Sequence, residues 1–182
     1  MVAIGLALSL GVSRDAIRNG LQQLRPNAND SRGRSNWLQY KNADIILDFA
    51  HNPDGVRRLV ETAQRWNATR RFIVIGQAGD RDDEQIQGIA AEAAKLNAER
   101  YYLKALPGHQ YEREAGEVVA LLRDQLIADG IPRTKIVSFP DEMSAIRQML
   151  VDAKEGDLLL LLSHEELDSV LPFLTEVGAC WV

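Results

Sequence analysis

The sequence predicts an α/β fold: a Rossmann-like, mostly parallel sheet with helices on both faces, preceded by a short helical segment and a β-hairpin. Two observations predict it. Short apolar runs rich in β-branched residues and leucine alternate along the chain with longer segments of helical periodicity. These runs contain few polar positions, as is typical of parallel strands buried on both faces. With 182 residues, of which 46% are hydrophobic and 26% charged, the chain can bury one main core.

The first part of the chain contains a helix, a polar segment and a hairpin. Ser13 is a typical N-cap, and the amphipathic segment RDAIRNGLQQL after it should form a helix that ends before Pro26. The polar stretch 25–36 has linker composition. The segments WLQY and DIILDF, joined by KNA, predict a β-hairpin. We therefore expect a helical remnant of a preceding domain at 1–25, a linker at 26–36 and a Rossmann-like domain at 37–182.

The rest of the chain repeats a strand followed by a helix. The predicted strands are RFIVIG, RYYLKA, KIVSF and DLLLLLS, and the predicted helices after them are DDEQIQGIAAEAAKLN, REAGEVVALLRDQLIADG, DEMSAIRQMLVDA and EELDSVLPFLTEV. Right-handed crossovers of this kind place parallel strands side by side.

Charge and cysteine content exclude several classes of protein. The net charge is -5 and the arginines are scattered, so the main surface is not one for nucleic acid or an anionic membrane. Cys180 is the only cysteine, which excludes an internal disulfide and a cysteine-based metal cluster and fits the cytoplasm. The apolar runs are far shorter than a membrane span.

The stretch ILDFAHNPDG (46–55) places polar residues where a buried strand should end. Ligands of open α/β sheets bind outside the carboxyl ends of the strands. Asn52 and Pro53 are also what an ordinary helix start contains, so capping and ligand binding are both open for them. Asp48 and His51 are not needed for a cap.

Other candidate residues follow neighbouring strands. His109 and His164 come after RYYLKA and DLLLLL, so all three histidines map to one edge of the sheet. No histidine pair has the spacing of a zinc site, and no Ser lies in a G-x-S-x-G turn. The loop GQAGDRDDEQ (76–85) combines a glycine turn with acidic residues, which suits either a capped helix or a ligand loop. It is not a phosphate-binding loop, and the chain contains no Gly-Lys dipeptide.

These motifs carry a family resemblance. Gly33-Arg34, then DFAHNPDG, then GDRDDEQI at 79–86 resemble, in this order, the C-terminal domain of the Mur ligase superfamily, which includes muramyl-peptide ligases, folylpolyglutamate synthetase and cyanophycin synthetase. GDRDDEQI followed by EREAGEVVALL is most similar to the cyanophycin synthetase branch. Residues 2–25 resemble the last helices of the preceding ATPase domain.

The resemblance implies an ATP-dependent carboxylate–amine ligase that works through an acyl phosphate, with ATP and Mg²⁺ as cofactors. It implies two sets of contacts. The nucleotide-binding residues would be Arg34, Asp48, His51 and Asn52. The Asp48 carboxylate would face the cleft toward the central domain and would have no partner until the nucleotide arrives. The residues facing the incoming amino acid would be Gly79, Asp80, Arg81, Asp82, His109 and Arg113. No metal ligand is assigned to this chain.

The family's phosphate-binding loop and magnesium ligands lie in a central domain whose motifs the chain lacks. The resemblance therefore implies a partner, the central ATPase domain of the same or a companion chain, and an isolated chain that is inactive. An amino acid or peptide would be the substrate. Whether the chain is part of an enzyme stays open at this point, because a non-catalytic binding module could retain the same fold.

Overall fold

The computed structural model describes residues 2–23, 31–164 and 167–182. The helices in these ranges are α1 (Val2–Ser9), α2 (Arg14–Gln23), α3 (Pro53–Arg65), α4 (Asp83–Ala94), α5 (Glu117–Ala128), α6 (Glu142–Asp152) and α7 (Leu167–Glu176), with a 3-10 turn at Arg133–Lys135. The strands are β1 (Asn36–Tyr40), β2 (Ala43–Asp48), β3 (Arg71–Ile75), β4 (Arg100–Lys104), β5 (Ile136–Phe139), β6 (Leu158–Leu162) and β7 (Cys180–Trp181).

The strands form one sheet in the order β5-β4-β3-β6-β2-β1-β7. The five strands from β5 to β2 are parallel, and β1 and β7 extend the sheet in antiparallel pairs. Ile46 of β2 pairs with Leu160 of β6 at the centre. The predicted fold class is confirmed.

Helices cover both faces of the sheet. On one face α3, α4 and α5 pack on side chains that include Ile46, Ile73 and Leu160. On the other face α6 and α7 pack on the alternate side chains of the same strands, such as Leu47 and Leu161. Every residue of β6 is buried, which explains why this strand is leucine throughout.

The hairpin confirms one prediction, and the end of the chain adds a strand that was not predicted. Lys41 and Asn42 have φ of 48° and 61°, as a two-residue hairpin turn between twisted strands requires. β7 pairs with β1 through Cys180 and Trp181 alone. A two-residue strand carries too little alternation to be recognised in a sequence.

Two helix starts can be compared with prediction. Ser13 caps α2 as predicted, since its Oγ accepts a hydrogen bond from the Ala16 amide at 3.2 Å. The predicted helix at 113–130 was wrong at its start, because α5 begins at Glu117. Gly116 has φ of 85°, and this left-handed residue separates the helix from the turns before it. The linker prediction falls largely on residues 24–30, which lie outside the described residues.

At the amino ends of the strands, away from the motif loops, two arginine side chains form structural contacts. Arg70 donates to both carboxylate oxygens of buried Asp157, with Nε to Oδ1 at 2.9 Å and Nη2 to Oδ2 at 2.5 Å. Arg71 donates to the Ala63 and Trp66 carbonyls at the end of α3. No helix in the described ranges is both long and apolar enough to cross a bilayer.

Ile46→Ala and Leu160→Ala should each lower the free energy of unfolding by about 2 to 5 kcal/mol, because each leaves a cavity at the centre of the sheet. Both side chains are at most 1% exposed. Urea unfolding at constant pH measures the change. Val151→Ala on α6, where the side chain is 77% exposed, should change stability by less than about 0.5 kcal/mol. Equal midpoints for the central and surface variants would contradict the sheet assignment.

Candidate functional site

The motif loops meet at the carboxyl edge of the parallel strands. The chain runs outward from β2 to β5 with helices on one face, then returns to β6 between β3 and β2 and continues with α7 on the other face. The loops after β2 and β6 therefore leave toward opposite faces. A crevice at such a reversal is the usual ligand position in open α/β sheets.

The loop that carries Arg34 is fixed by two side chains. Buried Asn36 accepts a hydrogen bond from the Gly33 amide at 2.7 Å and donates to the Ser31 carbonyl at 2.8 Å. Asp48 accepts from the amide and hydroxyl of Ser35, at 2.7 and 3.1 Å. The expectation that Asp48 has no partner before a ligand binds was wrong, because the turn at Ser35 places two donors on its carboxylate.

Arg34 and Asp48 line a cavity of about 330 Å³, which we call the arginine pocket. A second cation, Arg58 of α3, also lines it. The Arg34 guanidinium lies over the Phe49 ring, 4.9 Å from its centroid. This cation–π contact holds the positive charge at the mouth of the pocket while leaving its donors exposed.

His51 and Asn52 begin the turn into α3. Asn52 is the N-cap, with its Oδ1 accepting from the Gly55 amide at 2.8 Å, so its capping role is confirmed. His51 Nδ1 lies 3.1 Å from the Phe49 carbonyl. His51, Asn52 and Arg81 also line a cleft of about 280 Å³ at this helix start.

The three histidines come together as the sequence predicts. A cavity of about 270 Å³ is lined by residues from the loops after β2, β3, β4 and β6, and we call it the histidine pocket. The residues that line the histidine pocket are Phe49, His51, Gln77, Ala78, Asp80, Arg81, Leu106, His109 and His164. The Phe49 ring contacts both His51 and His164, at centroid distances of 5.1 and 5.5 Å. Phe49 therefore lies between this pocket and Arg34.

Gly79, Asp82 and Arg113, which the resemblance assigns to the substrate, each have a structural role in the loops of the site. A Cβ on Gly79 would overlap the Gln110 carbonyl oxygen, because the backbones of the loops after β3 and β4 are in direct contact. Asp82 caps α4 by accepting from the Gln85 amide at 2.8 Å. Arg113 donates to the Gly79 and Arg81 carbonyls and pairs with Asp83. The hydrogen bond with Asp83 raises the pKa of the Arg113 guanidinium. These contacts fix the loop that presents Asp80 and Arg81 to the histidine pocket.

A buried ion pair beneath the site was not predicted. Lys104 at the end of β4 and Glu142 at the start of α6 form a salt bridge in which both side chains are 0% exposed. Lys104 also donates to the Leu162 carbonyl at 2.5 Å. Glu142 accepts from the Ser163 hydroxyl and from the His164 amide. Burial alone would raise the pKa of Glu142, but the charge of Lys104 and these hydrogen bonds lower it.

His164 connects this network to the DFAHNP turn. Its Nε2 lies 2.8 Å from the Ala50 carbonyl and therefore donates to it. Its Nδ1 is buried with no partner among the described residues. Burial, and then the nearby charge of Lys104, lower the pKa of His164 from 6.5 to about 3. The ring is therefore neutral at physiological pH and presents an acceptor.

A family model settles the relationship. The Mur ligase, glutamate ligase domain is matched by residues 33–164, which include every motif loop described above. The chain belongs to this family.

Relatives of this Mur ligase domain have longer chains. A cyanophycin synthetase from Geminocystis herdmanii is 28% identical over 175 residues, which cover 93% of this chain and 20% of that protein. A UDP-N-acetylmuramoyl-L-alanyl-D-glutamate--2,6-diaminopimelate ligase from Gloeobacter violaceus is 30% identical over 173 residues, covering 91% and 32%. The chain thus spans a fifth to a third of these relatives, and the predicted resemblance is confirmed.

Solved structures show the same fold. E. coli FolC, in a structure that contains DHPP and ADP, superposes on this Mur ligase domain with a TM-score of 0.65 and 24% identity. The match covers 91% of this chain and 35% of that chain. At this identity the likeness is one of fold.

Asp48→Ala should lower the free energy of unfolding by about 1 to 2 kcal/mol, because Ser35 loses an ionised acceptor for two donors. Thermal unfolding at neutral pH measures the effect. Asp124→Ala removes an exposed carboxylate that pairs with neighbouring Arg123 and should cost less than about 0.5 kcal/mol. If the two variants have the same unfolding temperature, Asp48 does not stabilise the Ser35 turn.

His164→Asn should make the protein less sensitive to mild acid. The histidine has a lower pKa in the folded state than its ordinary value of 6.5, so only the unfolded chain gains this proton and stability falls as the pH falls below 6.5. The lowered pKa of Glu142 acts below its ordinary 4.5, which leaves pH 6.5 to 4.5 as the window for His164. Over this window the wild type should lose about 2 kcal/mol more than the variant.

Denaturant titrations at several pH values in this window provide the measurement. Parallel stability profiles for the two proteins would show that His164 is protonated as readily in the folded state as in the unfolded chain.

Proposed function

We propose that the chain is the C-terminal, nucleotide- and amino-acid-contacting domain of an ATP-dependent amide ligase that works through an acyl phosphate, and that it is inactive alone. The observation that carries the proposal is the position of Phe49. Its ring holds Arg34 on one side and contacts two histidines of the histidine pocket on the other. A cationic site that suits an anion and a neutral acceptor site are thus adjacent, as the transfer of an activated carboxylate to an amine requires.

The arginine pocket suits the nucleotide. Arg34 and Arg58 offer guanidinium donors, which bind phosphate oxygens in charge-assisted pairs. The amino end of α3 adds a partial positive charge nearby. Asp48 already orients the Ser35 turn, and ribose hydroxyls are the donors its remaining acceptor capacity would suit. ATP supplies the phosphoryl group that activates the carboxylate.

The histidine pocket suits the amine. Asp80 supplies a carboxylate, and His164, which also lines the pocket, has a buried acceptor nitrogen without a partner among the described residues. An attacking amine must be neutral and must direct N–H groups to acceptors, and a neutral imidazole is such an acceptor. Arg81 and His109 line the same pocket, while His51 and Asn52, which we propose as nucleotide contacts, line the adjacent cleft at the start of α3. Gly79, Asp82 and Arg113 contribute to substrate binding by shaping the loop.

A second polypeptide region is needed for catalysis. The chain contains no Gly-Lys dipeptide and hence no Walker-type phosphate loop. We propose that a P-loop domain, in the same or a companion chain, binds Mg²⁺ and most of the triphosphate. We also place the ligase in the cytoplasm, where ATP is available. Its acceptor is a peptide or another carboxylate, and its second substrate is an amino acid.

A binding module that retains the fold is the competing function. Asp48 and Asn52 are both satisfied within the chain, which favours a structural use of the motif. ATP binding distinguishes the two functions, because a module that has lost its ligase role has no reason to retain an Arg34-dependent nucleotide site.

Arg34→Ala should weaken Mg-ATP binding to the 182-residue chain about tenfold, a loss of about 1.4 kcal/mol, because a phosphate-binding guanidinium is removed. Isothermal titration or amide chemical shifts measure the affinity. Arg147→Ala is the matched control, since Arg147 lies over Phe173 at 4.3 Å on the opposite face, and it should leave affinity unchanged.

The same preparation should release no phosphate from ATP above a buffer blank. Phosphate release by the purified chain would overturn the proposal that a separate P-loop domain is needed for catalysis. ATP binding that does not change in Arg34→Ala would overturn the proposed nucleotide contact. Complete absence of ATP binding would favour the module.

A further inference from the structure

A further cavity lies on the outer side of the loop that follows β4. It has a volume of about 510 Å³, within the usual range for small-molecule sites, and we call it the outer pocket. Residues that line it include Gln77, Leu106, His109, Glu114, Val119 and Phe139. Gln77, Leu106 and His109 also line the histidine pocket, so the two cavities are neighbours separated by a single wall.

Gln77 has an unusual position at this boundary. The residue is only 5% exposed, yet no hydrogen bond to its side-chain amide is formed by any residue in the described part of the chain. Its amide is not among the fully buried, unpartnered groups of the described residues, so it reaches the cavities, where it is available to water or to a ligand. Because Gln77 lines both cavities, a ligand that occupies them together would meet its amide at the junction.

The charge of the outer pocket restricts its ligand. No lysine or arginine is among the described residues that line it, and its one carboxylate, Glu114, is exposed. Leu106, Val119 and Phe139 give it apolar walls. Placing an anionic group there would remove its hydration without supplying a cation. An uncharged, apolar group gains from the burial instead.

The wall between the cavities is already formed without a ligand. The Ala105 amide donates to the Phe139 carbonyl at 3.0 Å, and the His109 amide donates to Leu106 at 3.0 Å. Gly79 donates to the His109 carbonyl at 2.8 Å and so ties this wall to the loop after β3. A pocket that needs no ordering on binding selects ligands by shape at low entropic cost.

We infer that the outer pocket receives the side chain of the amino-acid substrate, that this side chain is uncharged and largely apolar, and that Gln77 binds the polar main-chain atoms at the junction. The inference deepens the proposed function and rests on it. The amine then lies in the histidine pocket, and the outer pocket sets specificity.

Binding to the full 182-residue chain tests this by amide NMR, with L-methionine and L-glutamate as probes of similar length and different charge. L-Methionine should bind at least ten times more tightly and should shift the side-chain NH₂ signal of Gln77 and the backbone signal of Val119. Gln77→Leu should weaken L-methionine binding at least fivefold.

A variant at the pocket rim keeps the test independent of folding. Ala115 is exposed and lines the outer pocket, so Ala115→Trp should fill the cavity and abolish binding. Ala128→Trp, an exposed position at the other end of α5, should bind L-methionine like the wild type. The amide spectra of all variants report whether they are folded.

The outcomes separate this inference from the proposed function. Equal or tighter binding of L-glutamate, undiminished binding by Ala115→Trp, or no binding of L-methionine at millimolar concentration would overturn the pocket assignment, even where Arg34-dependent ATP binding is intact. L-Methionine binding that responds to both pocket variants supports the assignment, and the ATP titration then judges the ligase role separately.

Discussion

The buried salt bridge between Lys104 and Glu142 is the interaction on which the geometry of the site depends. It joins the end of β4 to the start of α6, and the bonds from Lys104 to Leu162 and from Ser163 to Glu142 add the end of β6. Two ions taken out of water are stable only when both are fully hydrogen-bonded, and removing one partner of such a pair typically costs about 3 to 5 kcal/mol. The pair therefore ties together three chain segments whose loops surround the site, and it leaves them little freedom to move apart.

Single contacts connect this ion pair to the motif loops and restrain their positions. His164 follows Ser163 directly and holds the Ala50 carbonyl, so the position of the DFAHNP turn depends on the end of β6. Gly76 belongs to the same arrangement, because a Cβ there would lie 2.6 Å from the Lys104 carbonyl oxygen. At the other end of the sheet Arg70 and Asp157 perform a purely structural task. The carboxyl edge of the sheet thus carries both the candidate site and a stabilising network, whereas the Arg70–Asp157 pair stabilises the amino edge.

The fold, and the edge of the sheet at which the site lies, could be predicted because both follow from local patterns. The strands are apolar runs of ordinary length, and His51, Asp80 and His109 converge since each follows a parallel strand. The salt bridge could not be predicted in the same way. Lys104 and Glu142 are 38 residues apart, and each has an ordinary local interpretation, one at a strand end and the other in a first helical turn. For the same reason the contacts of Arg113, which the resemblance implies to be a substrate residue, could not be predicted, since the Gly79 and Arg81 carbonyls to which it donates are 34 and 32 residues away.

The internal bonds of the DFAHNP turn bear directly on how a ligand would be bound. Asp48 accepts a hydrogen bond from the Ser35 amide. That bond fixes the loop from which Arg34 extends over the Phe49 ring. A flexible arginine loses side-chain entropy when it closes on a phosphate, and a loop must be ordered as well. Here the loop is already ordered and the guanidinium already stacked, so the binding energy of an anion is not consumed in arranging them. The structural use of Asp48 and its use in a ligand site are therefore complementary, since the first prepares the second.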